Sequence, residues 1–260
     1  MKKGRRVKEK ENKSRIRKRK KSPIILLIQL ILIGIMIYSG TNIVIWFFEN
    51  GKTTQIMEEI SDCVQVDNTE NVAQEEKYKV NFQELKSKNE DTVAWLKVNG
   101  TDVEYPIVQG KDNDYYLTYS FDKTYNKAGW PFIDYKNKLD GTDKNIIIYG
   151  HNRRDGSMFE SLKKILTDEW ANNEENRKVV FITEKEKTMY EVFSTYKIEV
   201  EDYYLQTKPE DFENFVNSLK KRSTKDYNVS VGKDDQILTL STCADNSQYR
   251  IVLHAKKITQ

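Results

Sequence analysis

Residues Ile24 to Phe48 are twenty-five consecutive positions without a charged side chain, and no other feature restricts this chain so strongly. At 1.5 Å rise per residue, a helix of that length crosses a hydrocarbon core of about 30 Å. The preceding segment orients it. Residues 1–21 hold thirteen Lys or Arg against Glu9 and Glu11, a net charge of +11. Against the chain's overall +3, that leaves −8 on residues 22–260. A basic cluster on the N-terminal side of a span stays in the cytoplasm. Residues 1–21 are therefore expected as a cytoplasmic tail, 22–48 as a transmembrane signal anchor, and the remainder as extracytoplasmic. The apolar stretch is longer than the roughly 7 to 15 residues of a cleaved signal peptide, and no clear small-x-small site follows it. Beside a spanning helix, the basic tail reads as a topogenic segment touching anionic lipid rather than as a nucleic-acid surface.

Residues 49–77 are polar and acidic with weak helical periodicity, which predicts an extracytoplasmic, partly helical stalk, flexible over Asp67 to Glu76. Ile56, Ile60, Cys63 and Val64 share one helical stripe, so Cys63 reads as a packing residue of a juxtamembrane helix. The chain has only one other cysteine, and a Cys63–Cys243 disulfide stays open at this point. From Tyr78 onward the texture changes to short β-prone runs: Val93–Val98, Val103–Val108, Trp130–Asp134, Asn145–Tyr149, Val179–Thr183, Met189–Ile198, Gln236–Leu240 and Arg250–Lys256. Asn99-Gly100 signals a turn between the first two, and Pro106 argues for an edge or bulge. Two helical stripes interrupt the strands. One carries Met158, Phe159, Leu162, Ile165 and Leu166 behind a Ser157/Glu160 capping box. The other carries Phe212, Phe215, Val216 and Leu219 after Pro209, a residue suited to a first helical turn. Residues 78–260 are thus expected to be mainly β, an eight-stranded, closed or nearly closed β-barrel with peripheral helices, preceded by one transmembrane helix.

The strand Gln236–Leu240 runs into Ser241-Thr242-Cys243, giving a thiol the rigid support that a nucleophile needs. Arg250 opens the next strand. If the two strands are neighbours joined by the loop from Ala244 to Tyr249, Arg250 returns beside Cys243. Spacing alone equally permits a buried, inert Cys243 and a surface Arg250. The chain has two histidines. His151 follows Gly150 at the exit of a strand, where catalytic residues commonly sit. His254 lies within the last strand, on the same face as Arg250 and Val252. Both are candidate bases, and His151 is the stronger. No cluster of His, Cys or carboxylates has metal-ligand spacing, so no metal and no cofactor are expected.

Taken together, Ile147-Ile148-Tyr149-Gly150-His151-Asn152, Thr239-Leu240-Ser241-Thr242-Cys243 and Arg250-Ile251-Val252 resemble the sortases, membrane-anchored cysteine transpeptidases of Gram-positive bacteria. The resemblance runs from about Tyr78 to the C-terminus. The Trp95 to Gln109 hairpin, the Asp112 to Leu117 segment and the extra helix at 210–222 are similar to class B. This resemblance implies a sortase-type barrel in which Cys243 attacks the Thr carbonyl of a C-terminal sorting signal, NPxTx or LPxTG-like. An amine of a lipid II-type peptidoglycan precursor then resolves the thioacyl-enzyme. His151 would protonate the leaving amine and deprotonate the incoming one, while Arg250 holds the oxyanion or the substrate backbone. It further implies substrate-groove roles for Asn113, Leu117, Tyr204, Leu205 and Ser241. His254 falls at a strand position that is usually apolar in class B and is reassigned to a local, non-catalytic substitution. Asp245 is a candidate to orient His151, although a solvated loop acid is the plainer reading. The Cys-to-Arg loop is short, with six intervening residues, which bears on groove shape and sorting-signal preference. Implied partners are surface proteins with sorting signals, the wall precursor and membrane lipid, with no nucleic acid. Three alternatives stay open: a pilin-polymerising sortase, an exported cysteine peptidase releasing product to water, and a tethered non-enzymatic scaffold. Against the peptidase, papain-like enzymes place Cys before His in sequence, whereas here His151 comes first.

Overall fold

The computed structural model describes residues 23–67, 76–244 and 248–258. The chain divides into two compact units, Met1–Trp46 and Phe47–Gln260. Helix α1 (Pro23–Ser61) begins in the first and ends in the second. Its N-terminal part is apolar and long enough to cross a membrane, by length and composition. The large apolar side chains there, Leu30 and Ile37 among them, are exposed.

The last turns of α1 behave differently. Thr53, Ile56 and Ile60 are buried, and the two isoleucines join Cys63, Tyr78, Phe82 and Leu85 in the main core. Strand β1 (Val64–Val66) pairs antiparallel with β2 (Tyr78–Val80). Helix α2 (Phe82–Lys88) follows, with the Asn81 side chain accepting from the Glu84 N–H as its cap. Residues 49–67, expected as a stalk, therefore belong to the packed body. The physical reason is the Ile56/Ile60/Cys63 stripe, whose apolar area is covered by the flank of the domain. Most of the predicted flexible stretch lies outside the described residues. Cys63 is a buried free thiol and forms no disulfide; burial, then the Glu84 carboxylate, pushes its pKa up.

Eight strands close into a barrel: β3 (Thr92–Val98), β4 (Glu104–Val108), β5 (Phe132–Ile133), β6 (Asn145–Gly150), β7 (Lys178–Ile182), β8 (Lys187–Glu199), β9 (Ile237–Ala244) and β10 (Tyr249–Lys257). Their order around the barrel is β10-β8-β7-β3-β4-β5-β6-β9. Every predicted strand has its counterpart, with β5 shorter than Trp130–Asp134. Trp130 leaves the ladder and donates its indole N–H to the Pro106 carbonyl at 2.8 Å. Pro106 itself pairs with Trp95. On its other side β4 meets β5 only at Val108↔Phe132, so the proline's missing donor is tolerated.

The capping box predicted at Ser157 does not form. Asp155 captures both the Ser157 N–H (2.9 Å) and its hydroxyl (2.6 Å) in a local turn. Met158 then adopts a left-handed φ of 57°, and the helical stretch is a 3-10 turn over Glu160–Leu166. Its apolar stripe is nonetheless buried through Met158, Phe159, Leu162 and Ile165. A short helix α3 (Asp168–Asn172) follows. Helix α4 (Phe212–Arg222) buries Phe212, Phe215, Val216 and Leu219 as predicted. Its cap is Asp211, which accepts from the Asn214 N–H, and Pro209 lies just before it rather than in the first turn. These residues join Phe193, Tyr196, Tyr204, Ile237 and Val252 in a second core outside the barrel.

Candidate active site

Three strand ends meet at one rim. β6 and β9 run parallel with Gly150 opposite Thr242, and β9 and β10 run antiparallel with Arg250 opposite Cys243. His151 is the residue after Gly150, so His151, Cys243 and Arg250 stand level on adjacent strands, about 5 Å from strand to strand. A parallel neighbour thereby closes a separation of ninety-two positions from His151 to Cys243.

The loops around His151 hold it from several sides. Its Nε2 lies 2.8 Å from the Leu117 carbonyl. A carbonyl only accepts, so Nε2 carries a proton, and protonation at Nδ1 decides the charge of the ring. The backbone carbonyl of His151 accepts from the Phe159 N–H at 2.8 Å. Gly150 permits that approach, because a Cβ there would lie 2.5 Å from the Phe159 ring. Gly129, at φ +60°, brings its loop against the imidazole; a Cβ there would meet the Tyr116 carbonyl at 2.5 Å and His151 Cδ2 at 3.0 Å. The α1 turns after Phe47 tie down both neighbouring loops. Arg153 donates to Asn50 Oδ1 at 2.7 Å, and the buried Asn126 donates to the Glu49 carbonyl and to Thr53 Oγ1, each at 3.1 Å. Sequence reasoning missed these supports, since an isolated asparagine carries no pattern that marks it.

His151 and Arg250 line a groove of about 460 Å³ together with Asn113, Leu117, Tyr204, Leu205 and Ser241. All five residues carried over from the resemblance thus face one cavity. The Ser241 and Tyr204 hydroxyls lie 3.0 Å apart. Burial pushes the Tyr204 pKa up, against the Ser241 hydrogen bond and the Arg250 charge. Asn113 donates to Asp134 Oδ2 (2.9 Å) and accepts from the Tyr135 N–H (3.0 Å). The Tyr149 hydroxyl donates to the same carboxylate at 2.8 Å, so Asn113 builds the wall as well as facing the groove. Arg250 Nη1 donates to the Tyr249 carbonyl at 3.1 Å. Phe132, Val200 and Asp202 also line the groove and were not anticipated. A larger cleft of about 890 Å³, lined by Glu174, Arg177, Lys256 and others, contains neither histidine nor cysteine.

His254 is fully buried. Its Nδ1 lies 2.8 Å from Thr239 Oγ1 and its Nε2 2.8 Å from the Tyr196 hydroxyl. Burial, then the Arg222 charge, pushes its pKa down to about 3. It is a buried histidine with both ring nitrogens within hydrogen-bond distance of buried hydroxyls. Among the described residues no group of three or more His, Cys, Asp or Glu is arranged to hold a metal ion. Asp245 lies outside the described residues.

The sortase domain family matches residues 96–258. The chain belongs to the sortase family. Sortase B of Listeria monocytogenes is 36% identical over 240 residues, covering 89% of this chain and 95% of that protein. The crystal structure of sortase B from Bacillus anthracis superposes with a TM-score of 0.69 at 32% identity, covering 82% of this chain and 100% of that one. Sortase B from Clostridium perfringens gives a TM-score of 0.64 at 36% identity over 68% of this chain and 100% of that one. The class is therefore sortase B, and the activity is that of a cysteine transpeptidase that anchors surface proteins.

Proposed function

We propose that this sortase cleaves a C-terminal sorting signal after its Thr and transfers the surface protein to a wall-precursor amine, with Cys243, His151 and Arg250 as the catalytic residues. The Cys243 thiolate attacks the Thr carbonyl carbon, and Arg250 holds the negative charge that develops on oxygen. The protonated imidazole of His151 gives its proton to the departing amine as the peptide bond breaks, leaving a thioacyl-enzyme. An incoming amine attacks that thioester, His151 takes its proton, and the thiolate leaves. With Nε2–H held by the Leu117 carbonyl, Nδ1 is the exchanging nitrogen. An unperturbed thiol is only roughly 3% ionised at pH 7, and neighbouring cations favour the thiolate.

The observation that supports this reading is the register that sets His151, Cys243 and Arg250 level on adjacent strands, beside a groove lined by His151, Thr242 and Arg250. Exposed Leu117 offers an apolar contact to the signal, Leu205 extends that wall, and Asn113 with the Ser241–Tyr204 pair offers polar ones. The signal is NPxTx or LPxTG-like, and the acceptor is a lipid II-type amine. Residues 22–48 anchor the enzyme in the membrane with tail 1–21 in the cytoplasm and the catalytic body outside, facing the wall. Support comes from the apolar length of α1 and the basic segment before it. The test uses the full chain in detergent micelles with quenched NPxTx and LPxTG peptides, with and without triglycine, products being identified by mass. Cleavage after Thr and a triglycine adduct are expected. No cleavage of any peptide, or cleavage unchanged by Cys243→Ala, overturns the reading; water as the sole acceptor favours the peptidase.

A further inference from the structure

Behind the groove, Tyr196, His254, Thr239 and Asn145 form a file of polar side chains, each at most 1% exposed. The Tyr196 hydroxyl is 2.8 Å from His254 Nε2, His254 Nδ1 is 2.8 Å from Thr239 Oγ1, and Thr239 Oγ1 is 2.6 Å from Asn145 Oδ1. Asn145 Nδ2 in turn reaches the carbonyls of Tyr204 (3.2 Å) and Gln206 (3.0 Å). The protons of this file can be assigned from one end. Two backbone carbonyls only accept, so the Asn145 amide presents its NH₂ to them and its oxygen to Thr239. Thr239 spends its single hydroxyl proton on that oxygen, so it accepts from His254, whose Nδ1 must carry the proton. Nε2 is then a lone pair, and Tyr196 donates to it. Every bond points the same way, toward the 204–206 segment.

That segment has no helix or strand of its own between β8 and α4, yet it carries Tyr204 and Leu205 on the groove wall. Asn145 makes two hydrogen bonds to it through the amide, and a third from its N–H to the carbonyl of the next residue, Thr207, at 3.1 Å. We infer that the one-way file from Tyr196 to Asn145 is a positioning device for substrate binding: it locks the Asn145 amide so that this wall stands where a sorting signal must fit. His254 supplies the step an apolar residue could not, an N–H that occupies the acceptor side of the Thr239 hydroxyl and turns its proton toward Asn145. These are positioning residues, none of which touches the reacting atoms, and the inference rests on the groove being the sorting-signal site.

The test compares full-length wild type, Thr239→Val and Thr239→Ser in micelles. Valine keeps the shape and removes the hydroxyl; serine restores the hydroxyl without the methyl. For Thr239→Val we expect KM for the cleaved peptide to rise on the order of tenfold with kcat within about twofold, the scale of one or two lost buried hydrogen bonds. Amide hydrogen exchange over residues 200–207 should quicken in parallel, and Thr239→Ser should return both to near wild type. Long-range proton–nitrogen spectra of histidine-labelled enzyme should report the Nδ1–H tautomer for His254. Unchanged exchange in Thr239→Val, equal effects of valine and serine, or an Nε2–H tautomer overturns the inference. Faster exchange in an enzyme that cleaves no peptide sinks the sorting reading alone and leaves the support of the wall standing.

Discussion

The two histidines of this chain sit on the same barrel and have opposite surroundings. His151 leaves β6 at the rim, lines the groove and holds the Leu117 carbonyl through Nε2. His254 lies in the layer under α4, with both ring nitrogens bonded to buried hydroxyls. In sequence His254 is the nearer to Cys243, by eleven positions against ninety-two, yet the parallel β6–β9 pairing brings the distant one level with the cysteine. Whether a histidine can exchange protons thus depends on how many of its nitrogens the fold consumes and on its access to a ligand.

Exchanging the roles experimentally gives the largest effect. His151→Ala is expected to lower kcat/KM by on the order of 10³ to 10⁴, the upper range for loss of a general acid–base. His254→Leu is expected to leave kcat within a few-fold. Steady-state kinetics on a cleaved sorting peptide reads both, and an inactive His254→Leu enzyme with intact folding breaks the contrast. Next comes the third member of the rim. Arg250→Lys keeps the charge and loses the planar fork, and a drop of about 10² to 10³ in kcat is expected. Near-normal turnover removes Arg250 from the chemistry.

A smaller effect tests whether the rim, unlike the layer under α4, leans on a remote element. Asn126 is buried and donates two hydrogen bonds to α1. Asn126→Ala leaves the Glu49 carbonyl and the Thr53 hydroxyl without that donor, at about 1 to 3 kcal/mol of stability. Chemical denaturation measures that loss, and activity should fall with it because the same loop carries Gly129 against His151. Stability and activity both unchanged would show that α1 merely rests on the domain.

Much of this contrast was legible in the residues, and the illegible parts share a cause. Short runs rich in β-branched and aromatic residues revealed all eight strands, β5 least fully because only Phe132–Ile133 pair there. The Cys243–Arg250 neighbourhood followed from a hairpin. The β6–β9 pairing did not, since a parallel partner leaves no local trace; His151 became credible through the shape of its strand exit and then through resemblance. Ser157 misled because Asp155, two positions back, offered its hydroxyl and N–H a nearer acceptor than the helix did. The Ile56, Ile60 and Cys63 stripe was legible as a packing face, whereas the surface that covers it was not, because its partners Tyr78, Phe82 and Leu85 lie further along the chain. The Tyr196–Asn145 file was invisible because its members lie on four strands, in four separate stretches of sequence.

The smallest effect is a pH dependence confined to His254. Burial holds its folded pKa at about 3, below the ordinary 6.5, so the folded chain resists a proton that the unfolded chain accepts. Between those values the unfolded state binds more protons, and stability must fall as pH falls. The contribution is complete above about pH 6.5 and erodes below it, with a slope approaching 1.4 kcal/mol per pH unit from roughly pH 5 downward. Carboxylates titrate in the same range, so the informative quantity is the difference between wild type and His254→Leu. Denaturant unfolding at pH 7.5, 6, 5 and 4.5 should show the leucine variant losing less stability than wild type on acidification, whatever their relative stability at neutral pH. Parallel curves would mean that His254 takes up its proton in the folded state, and the two histidines would then differ in location but not in chemistry.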